Sequence, residues 1–387
     1  MRILYVISNP DLDITQNTGY ARHILETIKG FELNNHKVKV YQVDGFIKTI
    51  QSSSQSKRIS FLKKIIPTPI QATIRDILLF KRILKSRLEL KKIIIDFNPE
   101  IVYERDGYFT CLSSDLAKLV SSWYIEVNAP AIEERQAFSG RSFFRDYTHF
   151  LKKNSYGLSL GLFTVSSDLA TFLQSKYNVD KKKVIINPNG VDDSHFKPLI
   201  SNDILGTNYT FGFVGSILPF HGVQELIVAF QDLVIEGLDC SLIIIGDGDE
   251  LAQLKETVKI RDLAERVTFT GAVIYSKIPE MLKEVSICVM PKSNWYGSPV
   301  KIFEYGAMKK PVIAPNVGPV REIITHEYDG ILVSNVTELA SSMKRLYSDA
   351  ELCRILGERL YQRVSDNFTW RMNTQRILDT IAKDLTK

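Results

Sequence analysis

The sequence has little cysteine, no long apolar run and no strong excess of charge of one sign. Its 387 residues include four cysteines, Cys111, Cys240, Cys288 and Cys353, scattered and mostly in apolar company. They form no metal-ligand spacing and no disulfide framework, so they read as reduced packing residues of a cytosolic protein. No apolar stretch approaches the length that spans a bilayer. The start, Ile3-Leu4-Tyr5-Val6-Ile7 and then Ser8-Asn9-Pro10, reads as a buried strand and a turn rather than a leader peptide. A net charge of +5, with 44% hydrophobic and 24% charged residues, is ordinary for a globular protein, and the length suggests two domains. No Asp-x-Asp element stands in a suitable loop. Asp11-Leu12-Asp13 has that shape but follows the first strand and reads as a polar loop, so no metal is expected.

The mild net charge hides one concentration of it. Between Lys57 and Lys92 stand eleven Lys or Arg against only Asp76 and Glu89. Ile70, Ile74, Ile77, Leu84 and Leu88 recur there at helical spacing. Two readings stay open: a helix with this stripe in the core and a solvated basic face, or an amphipathic segment for an anionic membrane surface. Nucleic acid is not expected, because Phe61 and Phe80 are the only aromatics available for stacking.

Strand and helix patterns alternate along the chain. Strands are expected at 2–7, 37–43, 100–103, 123–127, 163–166 and 183–186, with helices at 21–33, 113–120 and 168–176. Asn187-Pro188-Asn189-Gly190-Val191-Asp192 interrupts this, and the alternation restarts at Thr210. Strands at 210–214, 241–245, 266–269, 285–290, 312–314 and 331–333 follow, with helices at 223–233 and 250–259. Such alternation means α/β architecture with parallel sheets, here two doubly wound domains. Their expected extents are 1–195 and 196–367, with a final helix over 368–387. Ligands of such folds bind beyond the carboxyl ends of the strands, so a cleft between two facing domains is the default site.

The most telling stretch is Ser298-Pro299-Val300-Lys301-Ile302-Phe303-Glu304. Ser298 can cap a helix and Pro299 suits its first position. The helix start can hold a phosphate, and Glu304, one turn beyond Val300, can accept hydrogen bonds from ribose hydroxyls. Those properties suit a sugar nucleotide.

The motifs, in order, are Ser166 to Leu169 with Asn187 to Asp192, Phe213-Val214-Gly215-Ser216 with His221-Gly222-Val223, Ile244-Ile245-Gly246-Asp247-Gly248, Val267 to Gly271, and Ser298 to Ala307 with Lys310 to Ala314. Taken together they resemble the retaining glycosyltransferases of family 4, which have the GT-B fold. The resemblance implies two Rossmann-like domains, the second binding the nucleotide, and the final helix packing back on the first. It implies transfer of a hexosyl group from a nucleotide diphosphate sugar to a glycan or lipid-linked acceptor, in bacterial-type polysaccharide or glycoconjugate synthesis. UDP is favoured over GDP by family habit, with no cofactor or metal expected. The expected location is cytoplasmic, and peripheral at the inner face of the cytoplasmic membrane if the basic segment docks there. Glu304 matches the ribose-binding glutamate. Ser298, Pro299 and Val300 lie at the phosphates, Val273 at the base, and Gly215, Gly222 and Gly248 in the loops around the donor. Gly19 matches the first-domain glycine that approaches phosphate and acceptor, or else marks a plain strand-to-helix turn.

The departures are informative. The first glutamate of the family's Glu-x7-Glu pattern would fall at Tyr296. The usual arginine and lysine of the phosphate loop are Ser216 and His221. Lys301 stands where the common form is apolar, and supplies the missing positive charge unless it is an exposed helix lysine. The first-domain histidine has no counterpart within Glu126-Val127-Asn128-Ala129-Pro130. Glu126 and Asn128 therefore become candidates for the donor sugar or acceptor, or are a strand end capped by turn residues; Arg105 points the same way. With Tyr296 at the first glutamate's place, no carboxylate suits a covalent double displacement, and front-face attack is the expected course. The rival readings are a sugar-nucleotide epimerase of the same fold and a non-catalytic nucleotide-sugar-binding subunit.

Overall fold

A computed structural model describes residues 1–15, 18–43, 67–112, 114–198 and 209–386. The chain forms two compact units. One comprises Met1–Gln16, Tyr20–Asn187 and Ile377–Lys387, the other Asn17–Gly19 and Pro188–Arg376.

The first unit holds a sheet of parallel strands β1 (Arg2–Ile7), β2 (Lys37–Gln42), β3 (Ile101–Arg105), β4 (Trp123–Val127), β5 (Gly161–Thr164) and β6 (Val184–Ile186), in the order β2-β1-β3-β4-β5-β6. β1, β3 and β4 are almost wholly buried and mostly apolar, as strands covered on both faces are, with Glu104, Arg105 and Glu126 the buried charged exceptions. Ile3, Tyr5, Ile101, Tyr103 and Phe163 share a core with Ile24 and Phe31 of the helix Gly19–Leu33. Ile377, Leu378 and Ile381, from the second half of the terminal helix Trp370–Leu385, complete that core.

The second unit repeats the plan with β7 (Tyr209–Val214), β8 (Cys240–Ile245), β9 (Val267–Gly271), β10 (Ile287–Val289), β11 (Val312–Pro315) and β12 (Ile331–Val333), in the order β12-β11-β10-β7-β8-β9, all parallel. Alternate strand residues feed two cores. Phe211, Phe213, Leu242 and Ile244 pack with the helices Val223–Ile235 and Val336–Ser348 on one face. Val214, Ile245, Cys288 and Val312 pack with Ile302, Phe303 and Tyr305 on the other.

Several expectations are corrected. The second unit begins at Pro188 rather than after residue 195, because Val191 and Phe196 are buried in its core. The helices Ala131–Ser139 and Arg145–Leu158 went unread. The second buries Thr148, Lys152, Ser155 and Tyr156, so its inward face carries no apolar stripe. Asp106 explains how that face is tolerated: Lys152 Nζ donates to both its oxygens at 2.8 and 2.6 Å, and the Tyr156 hydroxyl at 2.9 Å.

The basic segment is the third correction. Lys57, Arg58, Phe61, Lys63 and Lys64 lie outside the described residues. The rest forms a 30-residue helix, Thr68–Phe97, that ends on Asn98 in the left-handed conformation. Its core-facing residues are Ala72, Asp76, Leu79, Ile83, Ser86, Leu90 and Ile94. The stripe Ile70, Ile74, Ile77, Leu84 and Leu88 is exposed instead.

Gly190 sets how the second unit is closed. A Cβ there would stand 2.7 Å from Thr369 C and 2.8 Å from Trp370 N. Beside it, Val191 N donates to Phe368 O at 2.9 Å and Trp370 N to Val191 O at 3.1 Å. Gly190→Ala must part these two segments, and a loss of about 1–3 kcal/mol is expected, as for overpacking of a filled interior. Urea unfolding of wild type and variant checks this; equal midpoints would show that the contact yields at no cost.

Candidate nucleotide-binding site

In the second unit the chain runs from β7 to β8 and β9 on one side, then returns to β10 on the other. The helix after β7, Val223–Ile235, packs on one face and the helix after β10, Val300–Ala307, on the opposite face. The strand order therefore reverses between β7 and β10, and the crevice beyond their carboxyl ends is where open α/β sheets take ligands. The loops there carry Gly215 and Ser216 after β7 and residues 290–299 after β10.

Lys301 rises into this end of the sheet. Its Nζ is buried, has no hydrogen-bond partner among the described residues, and sits 4.2 Å from the centre of the Phe213 ring. Burial pushes its pKa down to about 7, against a smaller upward pull from Glu304. It is not an exposed helix lysine. Gly215 makes room for it: φ is +139°, and a Cβ there would be 2.8 Å from Nζ. A buried ammonium held only by a ring face lacks the donors' usual acceptors, and an anion is what would complete it. Glu304, one turn on, is buried as well. Tyr305 fixes that turn, its hydroxyl accepting from Val214 N at 2.9 Å.

Ser298 does not cap the helix. Its hydroxyl accepts from Asn189 N at 3.1 Å, and its carbonyl from Asn189 Nδ2 at 2.5 Å. Pro299 is the flanking residue and Val300 the first helical one. Asn189 thus holds the loop before the helix Val300–Ala307, a role the turn-rich spelling around it did not disclose. Asn294 does similar work on the other side, its Oδ1 accepting from Tyr296 N at 3.3 Å and Gly297 N at 2.5 Å. Tyr296 stands half-buried where a carboxylate was absent.

His221 is the other altered position. Its Nδ1–H donates to the Ser216 carbonyl at 2.5 Å, which leaves Nε2 as an acceptor while the ring is neutral. Burial first, and the Lys301 charge second, bring its pKa down to about 3. His221 can therefore give a hydrogen bond through Nε2 only after gaining a proton. Lys292, not read from the sequence, follows β10 and bonds through its N–H to His221 O at 3.2 Å. Its ammonium is paired with Glu225 at 2.5 Å. Ser216 is exposed, Gly222 opens the helix after β7 at φ +68°, and Gly248 lies against Ile217 too closely for a side chain. Val273, half-buried, follows β9.

In the first unit, Glu126 accepts from Tyr5 and Tyr103 hydroxyls at 3.1 Å each, from Arg105 Nη1 at 3.0 Å and from His23 Nε2 at 2.5 Å. Its candidacy as a sugar ligand is corrected, since its lone pairs are spent on internal donors; Arg105 goes with it. Asn128 differs. Its Nδ2 lies 3.3 Å from His23 Nδ1, which can accept only while that ring is neutral, and its buried Oδ1 has no partner among the described residues. His23 was missed, because a single histidine on the buried face of a helix looks like packing. Gly19 is the first residue of that helix. Among the described residues no group of three His, Cys, Asp or Glu could hold a metal ion.

With this geometry in place, comparisons with known proteins are consistent with it. Residues 208–349 match the family described as Glycosyl transferases group 1. The α-D-kanosaminyltransferase of Streptomyces kanamyceticus is 32% identical over 148 residues, 38% of each chain. The UDP-Gal:α-D-GlcNAc-diphosphoundecaprenol α-1,3-galactosyltransferase of Escherichia coli is 26% identical over 214 residues, 52% of this chain and 54% of its own. The matches thus span between about two-fifths and half of those relatives. An Anabaena protein solved in complex with UDP superposes with a TM-score of 0.69 at 15% identity, over 99% of this chain and 100% of that one. The fold is GT-B, and the two parallel six-stranded sheets agree with it.

The Glu126 network yields a prediction. Burial alone would raise its pKa, but His23 and Arg105 outweigh that and hold it at about 2. The unfolded chain binds the proton more readily, so this contribution is complete above the ordinary carboxylate pKa. It is lost as pH falls from about 4.5 towards 2. Glu126→Ala should cost about 3–5 kcal/mol at pH 7 by stranding Arg105 and His23, and should flatten the acid limb. Unfolding of both proteins across pH 3–7 checks this; parallel curves would contradict it.

Proposed function

We propose that this chain is a metal-independent retaining glycosyltransferase of the hexosyl-transferring kind. It moves a sugar from a nucleotide diphosphate sugar, UDP before GDP, to a glycan or lipid-linked acceptor. The setting is cytoplasmic, in polysaccharide or glycoconjugate synthesis. The observation that carries the reading is the buried, unpartnered ammonium of Lys301 at the sheet's reversal point, one helical turn from a buried glutamate. The matched family and the UDP complex of a protein with this fold support it. A diphosphate at the start of the helix Val300–Ala307 gives Lys301 its missing acceptor, and Glu304 takes the ribose hydroxyls.

The chemistry follows from where charge develops. As the glycosidic bond breaks, negative charge grows on the departing diphosphate, and a cation already fixed there stabilises that state more than the ground state. Bound phosphate raises the proton affinity of Lys301 and His221 together. The ammonium is then fully charged, and the His221 Nε2–H becomes a donor. The acceptor hydroxyl attacks from the face the leaving group vacates and gives its proton to the departing phosphate, which retains configuration without a covalent intermediate. Ser216, Val273, Gly222 and Gly248 shape the donor loops. Asn128, through its unpartnered Oδ1, and Gly19 are assigned to the transferred sugar or the acceptor.

Lys301→Ala should weaken UDP binding by roughly 1–3 kcal/mol more than it weakens uridine binding, and should slow transfer. Glu304→Ala should weaken UDP by about 1.5–3 kcal/mol and leave a 2′,3′-dideoxy nucleotide unaffected. Calorimetry measures both. Incubation with UDP-, GDP- and ADP-sugars, scoring released nucleotide, tests the reaction. Conversion of the donor without release would indicate an epimerase, and neither outcome a binding subunit.

A further inference from the structure

We infer that the helix Thr68–Phe97, together with the aromatic bend beside it, is a docking surface for an anionic phospholipid bilayer. The helix has 30 residues, about 45 Å of length. Its core contacts use one stripe completely, yet a second stripe on the opposite side is aliphatic and exposed: Ile74 47%, Leu78 55%, Leu84 43%, Leu88 77% and Ile95 61%. Lys81, Lys85, Lys91 and Lys92 stand on the same side, exposed and among these aliphatics. Glu89 lies at its edge and accepts from the Tyr41 hydroxyl at 3.3 Å. A helix seeking only solubility would carry polar residues there, and a protein partner would be served by either property alone. Aliphatics that enter the acyl boundary, with lysines that reach back to phosphate, are the pattern of an interfacial helix.

The neighbouring bend was not part of the basic segment and adds an independent observation. Phe138 and Phe143 are 71% and 78% exposed, and Tyr147 and Phe150, in the helix Arg145–Leu158 that follows, are exposed as well. They are not loose: Arg75 Nη2 donates to Ser139 O at 2.7 Å and Phe143 N to Thr73 Oγ1 at 2.9 Å. Phe80 of the helix packs on Phe144 and Tyr147 with ring centres 5.5 and 5.7 Å apart. The bend therefore holds its outward rings against the amino-terminal half of the helix, as aromatic anchors at a headgroup boundary are held. Among the described residues no helix is long and apolar enough to cross a membrane, so this surface lies on a bilayer rather than through it. The inference deepens the transfer reading by giving a lipid-linked acceptor its place, but the binding does not depend on that reading.

The test is sedimentation of the full chain with vesicles of equal parts phosphatidylcholine and phosphatidylglycerol, against pure phosphatidylcholine, at low and high salt. UDP binding is measured on the same samples. Wild type should partition to the anionic vesicles and weaken as salt rises. Lys81→Gln/Lys85→Gln/Lys92→Gln should lower partition on the order of a hundredfold, each basic residue near such a surface being worth about fivefold. Phe138→Ser/Phe143→Ser should also lower it, with UDP affinity unchanged in both. No partition of wild type, or partition indifferent to both variants, overturns the proposal. So does a wild-type dimer in solution that Leu78→Asp/Leu88→Asp separates, since a second copy would then be the occupant. Vesicle binding without UDP binding would leave the docking standing and remove the transfer reading.

Discussion

Lys301 carries its side-chain nitrogen into a place where no acceptor among the described residues answers it. Phe213 offers a ring face 4.2 Å away and Gly215 offers space. The pKa near 7 is the physical expression of that deficit. Everything around the site follows from keeping such a group in position: the glycine whose backbone only an absent side chain allows, the tyrosine that locks the next turn to β7, and the asparagine that holds Ser298 back from capping. A buried amine with this deficit at the reversal point of the sheet is the ground on which the proposed anion site rests.

The first unit shows the opposite treatment of charge. Glu126 is surrounded by two tyrosines, an arginine and a histidine, and Asp106 by a lysine and a tyrosine, so each buried carboxylate is satisfied from within. Those groups knit β1, β3 and β4 to the helices that cover them. Asn128 stands at the margin of that network with one oxygen unmet, which separates it from Glu126 and Arg105 although all three looked alike as polar residues at strand ends.

The strands of both sheets were legible because buried parallel strands spell themselves as short apolar runs. Trp123–Val127 and Cys240–Ile245 show it, with turn residues marking where they stop. The helix Arg145–Leu158 was not legible, since its inward face is Thr148, Lys152 and Ser155 and depends on an aspartate 46 residues away. In Thr68–Phe97 two stripes compete at the same spacing, and only packing decides which is core. Glu304, Lys301 and the glycines could be picked out by order and position. Whether Lys301 was buried, whether Ser298 capped, and that His23 met Glu126 depended on contacts between residues 80 to 110 positions apart, which no local pattern encodes.

If a diphosphate completes Lys301, proton counting reads it directly. UDP binding is followed by calorimetry at pH 8 in two buffers of different ionisation enthalpy, for wild type and Lys301→Ala. With its pKa near 7 the lysine is mostly neutral at that pH, so a phosphate that restores its charge must draw about one proton from the buffer. Wild type should take up that proton and the variant should take up less by about one. Binding with equal proton uptake in both proteins would show that the diphosphate is held without the lysine, and would contradict the account.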